Sequence, residues 1–211
     1  MKTRFNKVLG FIPLISNKTK ITISISLLAF ACILYFMNHS YVQLLCLIGM
    51  AFSFIGDIAL NSMPLEKRPH SMLYIGALFF ICAHLMYALA YYTRITTQSD
   101  KYFNLGAILA VLFVVALIAI TIIKFVLSSK KTKHMTFIVF GVYSFIITLN
   151  FMTICSYSYS AHSIAFIGAI SFLISDYIIG IETLFKIKND TLRKLVWIFY
   201  PIGQILILAC C

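Results

Sequence analysis

Polar residues are scarce along this chain and fall in clumps, leaving seven apolar stretches long enough to cross a bilayer. They run roughly 21–37, 41–61, 72–92, 104–126, 134–154, 162–183 and 194–211. A membrane helix needs about 20 such residues, and each stretch comes close to that length. The apolar residues are continuous instead of alternating, which is the pattern of spanning helices and not of a β-barrel. Short connections make neighbouring spans antiparallel. The pattern therefore predicts an all-α fold, a polytopic transmembrane bundle of about seven to eight spans forming one domain over residues 21–211. Residues 1–20 read separately, as a basic segment at the membrane surface. Their apolar piece, Val8–Ser16, is interrupted by Pro13 and is too short to span. The run from Ile21 to Met37 is too long for a signal-peptide core and reads as a retained first helix.

Composition agrees. The chain is 62% hydrophobic and 11% charged, against about 25% charged in soluble domains. A formal net charge of +11 invites a nucleic-acid partner, but the placement of the charge argues against one. Of 17 Lys and Arg residues, only Arg94 and Lys101 lie on one side of the predicted topology. The other side holds Lys67, Arg68, Lys124, Lys186, Arg193 and the rest. The positive-inside rule then puts the N-terminus in the cytoplasm and the C-terminus outside, in a multi-pass protein of the bacterial inner membrane or its equivalent. The six cysteines show no CxxC or Cys/His spacing, so they read as small apolar residues, and no metal or other cofactor is expected.

Against this background two carboxylates stand out. Asp57 closes the run GMAFSFIGD, and Asp176 closes GAISFLISD. Each acid lies eight residues after a glycine, within an apolar span. A charged side chain at membrane depth costs about 2.5–3.5 kcal/mol, so such a residue is read as functional by default. Counting from the span ends puts both acids roughly 5–12 Å inside the cytoplasmic boundary. Gly49, Ser53, Asp57 and Asn61 recur at four-residue spacing, a small and polar stripe on one helix face. Gly168, Asp176 and Gly180 share a face of the sixth span. Small residues let helices approach closely in lipid, so both acids are expected to point into helix contacts or a cavity.

The third span repeats the spacing in GALFFICAH, with His84 in the place of the acid and Tyr87 following. The likeness fits an internal repeat or a chance match among apolar helices. His84 is expected deeper, near mid-membrane. In the last span Tyr200 and Gln204 lie four residues apart, flanking an expected helix break at Pro201.

Two readings of the acids are open. Each is a structural partner for a helix-end amide or a tyrosine, or the two form a proton-donating pair. Apolar surroundings favour the neutral form of a carboxyl, and a second carboxylate nearby makes one of two hold its proton. Such a pair donates and receives protons at neutral pH. Tyr200 and Gln204 serve either as packing hydrogen-bonders or as polar walls for a headgroup. No lysine lies in the middle of the last span for a retinal Schiff base, and no GxSxG element is present.

The segments GMAFSFIGDIAL (49–60), YIGALFFICAHLMY (74–87), GAISFLISDYIIG (168–180) and YPIGQ (200–204) resemble, in order and spacing, the YhhN-like lysoplasmalogenase family. The resemblance covers most of the chain after residue 45. It implies an integral membrane hydrolase that splits the vinyl ether of lysoplasmalogens, lysophospholipids of ethanolamine or choline, into a fatty aldehyde and a glycerophospho-alcohol. Asp57 and Asp176 would be the catalytic acids. His84, Tyr200 and Gln204 would stand in supporting positions, with Asn61, Ser53 and Tyr87 beside them. The family typically has about eight spans where seven are counted here. The partners implied are a lysophospholipid substrate and membrane lipids. Lys67, Arg68, Lys186 and Arg193 are candidate phosphate anchors at the cytoplasmic mouth, or simply solvated charge. A competing function is a proton-coupled transporter or lipid flippase using the same acids as a relay, which predicts broken helices in corresponding halves of the chain.

Overall fold

A computed structural model describes residues 16–61, 70–98, 105–127, 134–185 and 189–211. The segment 1–15, with the interfacial piece expected there, lies outside these residues, as do Lys67, Arg68 and Lys186. The described residues form seven helices and no strand: α1 (Asn17–Asn38), α2 (Tyr41–Asn61), α3 (His70–Gln98), α4 (Leu105–Leu127), α5 (His134–Ala161), α6 (Ala165–Phe185) and α7 (Asp190–Ala209). All seven are long and apolar enough to span a membrane, and the protein is a multi-pass membrane protein.

The seven spans match those predicted, and their ends differ for local reasons. Helix α1 starts four residues early because the Ser16 side chain caps it, accepting from the Thr19 amide at 3.1 Å. Helix α7 likewise starts early, since Asn189 Oδ1 accepts from the amides of Thr191 at 2.9 Å and Leu192 at 3.4 Å. Helix α3 continues past residue 92 because Thr93, Thr96 and Thr97 bond back to carbonyls of their own helix, which satisfies their hydroxyls without unwinding it. At the end opposite the basic connections, α1 and α5 stop at His39 and His162, both left-handed, with φ of 46° and 50°. Pro201 is a correction. It lies inside one continuous helix instead of breaking it. Neighbouring helices in a membrane bundle tolerate the missing N–H.

Packing follows a ring: α1 on α2, α2 on α3, α3 on α5, α5 on α6, α6 on α7, and α7 back on α1 and α2. Helices α3 and α4 are consecutive, yet among the described residues their backbones do not pack together: no Cα of one lies within 8 Å of a Cα of the other. Helix α4 lies outside the ring against α5 and α6. Its outward face, including Ile108, Leu112, Ile120 and Ile123, is exposed apolar surface, as lipid contact requires. Glycines close two crossings. A Cβ on Gly56 would come within 3.3 Å of the Gly76 carbonyl, joining α2 to α3, and one on Gly203 within 2.8 Å of the Phe172 amide nitrogen, joining α7 to α6. The stripe expected on α6 is split: Gly168 meets α7, whereas Gly180 faces Phe140 of α5.

The cysteines also need correction, because Cys46 of α2 is joined to Cys211 by a disulfide across 165 residues. The Cys211 carbonyl accepts from Gln43 Nε2 and Arg94 Nη2, each at 2.7 Å. Residue spacing along the chain carries no trace of a pair so far apart.

Candidate active site

Asp57 faces inward because the four-residue stripe on α2 turns one side of that helix to the bundle interior. Gly49, Ser53, Asp57 and Asn61 are all buried. Asp57 Oδ2 accepts from the Ser24 hydroxyl of α1 at 2.6 Å and from the Tyr200 hydroxyl of α7 at 2.7 Å. Ser24 also lies 3.1 Å from the Lys20 carbonyl, but its single proton favours the shorter contact with Asp57. Asn61 does not reach the carboxylate. Its Nδ2 donates to the backbone carbonyl of Asp57 at 2.8 Å, closing the last turn of α2. The acid thus ties three helices together.

Asp176 has a different setting. Its Oδ2 lies 3.0 Å from His84 Nε2 of α3, with both side chains almost fully buried. The other imidazole nitrogen, Nδ1, lies 2.8 Å from Asn150 Nδ2 of α5. The Tyr143 hydroxyl stands 3.5 Å from His84 Nε2. His84 is therefore at the depth of Asp176, not deeper. Helix α3 has 29 residues against 21 in α6, about 12 Å more length at 1.5 Å per residue, so counting inward from its end overstates the depth. The ionisable ends of the two similar segments, GALFFICAH and GAISFLISD, meet each other.

Beside Asp176 opens an apolar cavity of about 110 Å³. Its walls come from α2 to α6 and include Phe80, Leu117, Phe140, Tyr143 and Leu173. Among the described residues Asp176 is the one carboxylate in the lining; Asp57, Tyr200 and Gln204 do not reach it. A smaller cavity of about 10 Å³ touches His84, Asn150 and Phe172.

Gln204, Tyr87 and Ser53 make a third, closed network. Tyr87 donates to Gln204 Oε1 at 2.7 Å, and Gln204 Nε2 donates to Ser53 Oγ at 3.1 Å. The Tyr87 and Gln204 side chains have no exposed surface. They join α2, α3 and α7, and neither borders the cavity. Phe172 stands between the two acid clusters, its ring centroid 4.8 Å from His84 and 5.5 Å from Tyr200. Arg193 is engaged with acids of its own end of the bundle, 3.3 Å from Asp190 and 3.9 Å from Glu182. Among the described residues no cluster of three His, Cys, Asp or Glu side chains is arranged to hold a metal ion.

A carboxyl and an imidazole in contact, at the wall of an apolar cavity, can deliver a proton to a greasy substrate and recover it. The chain matches the YhhN family over residues 16–211. It belongs to the YhhN family. This is the lysoplasmalogenase family of membrane proteins, and it is associated with hydrolase activity. No curated protein and no solved structure matches the chain. Three residues of this YhhN protein's site were not singled out in the sequence: Ser24, Tyr143 and Asn150. Asn150 was open to notice, since it is a lone amide within an apolar span.

Proposed function

We propose that this YhhN protein hydrolyses the vinyl ether of lysoplasmalogens, with Asp176 as the proton donor and Asp57 as the carboxylate that ties together the helices around it. One observation carries the reading: among the described residues, Asp176, backed by His84, is the carboxylate that lines the apolar cavity suited to an alkenyl chain. Such a site needs few polar groups, because the substrate presents little beyond one ether oxygen and a double bond.

The chemistry runs as a cycle on one carboxyl group. The Asp176 carboxyl gives its proton to the β-carbon of the vinyl ether, and the positive charge spreads over the α-carbon and the ether oxygen. The resulting carboxylate stabilises that cation, held in place by His84. Water adds to the α-carbon and returns a proton to Asp176. The hemiacetal so formed collapses to the fatty aldehyde and the glycerophospho-alcohol. The net reaction adds one water and leaves the acid as it began, with an oxocarbenium-like intermediate stabilised as in glycoside hydrolysis.

The basic ends of the helices face the cytoplasm in this reading, which places the Cys46–Cys211 disulfide on the outer side, where disulfides persist. The relay alternative calls for interrupted helices, and α7 runs unbroken through Pro201. The test uses purified protein and an alkenyl lysophospholipid in detergent. Aldehyde release that continues without a sealed membrane, and that a folded Asp176→Asn variant lacks, supports the hydrolase. No aldehyde from active-site-intact, folded protein overturns it.

A further inference from the structure

The proposed cycle leaves one buried polar group unused. Asn150 of α5 is 4% exposed, and its amide nitrogen lies 2.8 Å from His84 Nδ1. Its carbonyl oxygen is buried with no hydrogen-bond partner among the described residues. An unpaired acceptor in the interior is unfavourable, and a leucine of similar size would avoid it. The contribution of the amide therefore lies in what its N–H does for His84.

The imidazole makes the purpose specific. A neutral ring carries one N–H, on either nitrogen. Once Asp176 has given up its proton it only accepts, so its contact with Nε2 at 3.0 Å then needs the proton on Nε2. Nδ1 is then bare and calls for a donor, which Asn150 supplies. The opposite tautomer would reverse the contact. A bare Nε2 would draw the proton of the Asp176 carboxyl into an O–H···N bond and away from the cavity.

We propose that Asn150 is a positioning residue, whose amide N–H holds His84 in the Nε2–H tautomer so that the proton of Asp176 stays available to substrate. The kinetic part of this inference rests on Asp176 as the reacting acid; the tautomer part does not.

The experiment is solid-state NMR of the full-length protein in lipid bilayers, with ¹⁵N- and ¹³C-labelled histidine and the His84 signals assigned through His84→Gln. The expected result is Nε2–H in the wild type and a shift to Nδ1 protonation in Asn150→Asp, whose carboxylate accepts from that nitrogen. Nδ1–H in the wild type, or a tautomer unmoved by both Asn150→Asp and Asn150→Leu, overturns the proposal. In parallel, Asn150→Leu is expected to lower kcat by about 10-fold to 100-fold, the usual effect of losing a ligand-orienting partner, with KM nearly unchanged and the pH–rate profile displaced. An unchanged kcat and profile overturn the kinetic part. The NMR needs no substrate. A protein inert on lysoplasmalogens but with the expected tautomer sinks the hydrolase reading alone, and an active protein with the wrong tautomer sinks this inference alone.

Discussion

Asp57 and Asp176 look alike in the sequence and are employed differently in the structure. Asp57 is enclosed by donors from two other helices, the Ser24 and Tyr200 hydroxyls at 2.6 and 2.7 Å, and does not line the apolar cavity beside Asp176. Asp176 shares its oxygen with an imidazole at 3.0 Å and faces apolar space. A carboxylate satisfied by short hydroxyl contacts holds helices together. One with a titratable partner and an open side can exchange protons. Two buried acids at similar spacing are thus not automatically two halves of one machine, and the neighbours each one recruits decide its work.

The comparison can be broken most directly by removing each acid in turn. Asp176→Asn is expected to cut aldehyde release by about 10²–10⁴-fold, the range for loss of a general acid, while the thermal unfolding temperature stays close to that of the parent. Asp57→Asn is expected to show the opposite balance. Its turnover falls by roughly 10-fold to 100-fold through displacement of the site. Its stability falls by about 2 kcal/mol, because hydrogen bonds to a charged acceptor are lost. Equal effects of the two variants on both turnover and stability would erase the distinction.

A third variant probes the wall between the acids. Gly203→Ala places a Cβ 2.8 Å from the backbone nitrogen of Phe172, which cannot swing aside as a side chain could. Overpacking of this kind costs about 1–3 kcal/mol. Because Phe172 touches both His84 and Tyr200, a several-fold loss of turnover should accompany the lower melting temperature. The smallest expected effect on turnover comes from reduction of Cys46–Cys211, remote from both acids. It should lower stability by about 2–4 kcal/mol and leave the initial rate of aldehyde release unchanged.

Much of this arrangement was legible in the sequence, because in lipid the hydrophobic pattern and the cost of buried charge act on single residues. The seven spans followed from apolar run length alone, and Asp57, His84 and Asp176 were conspicuous as ionisable groups where few are tolerated. Their partners were harder to find. Ser24, Tyr143 and Asn150 are ordinary polar residues until packing brings α1 to α2, or α3 to α5, and pair geometry between helices leaves no mark on residue spacing. The gap between α3 and α4 was hidden for the same reason: short connections predict neighbours, but the small-residue crossings decide which helices meet. Pro201 misled because the rule for helix breaking assumes that a freed carbonyl must look to water.

The disulfide between Cys46 and Cys211 also sets an order of events in biosynthesis. Cys46 leaves the ribosome 165 residues ahead of its mate, or roughly 8–33 s earlier at about 5–20 residues per second. For that interval it must remain a thiol. The covalent lock therefore closes after the later spans have been threaded into the bilayer, sealing an assembled bundle instead of guiding its insertion.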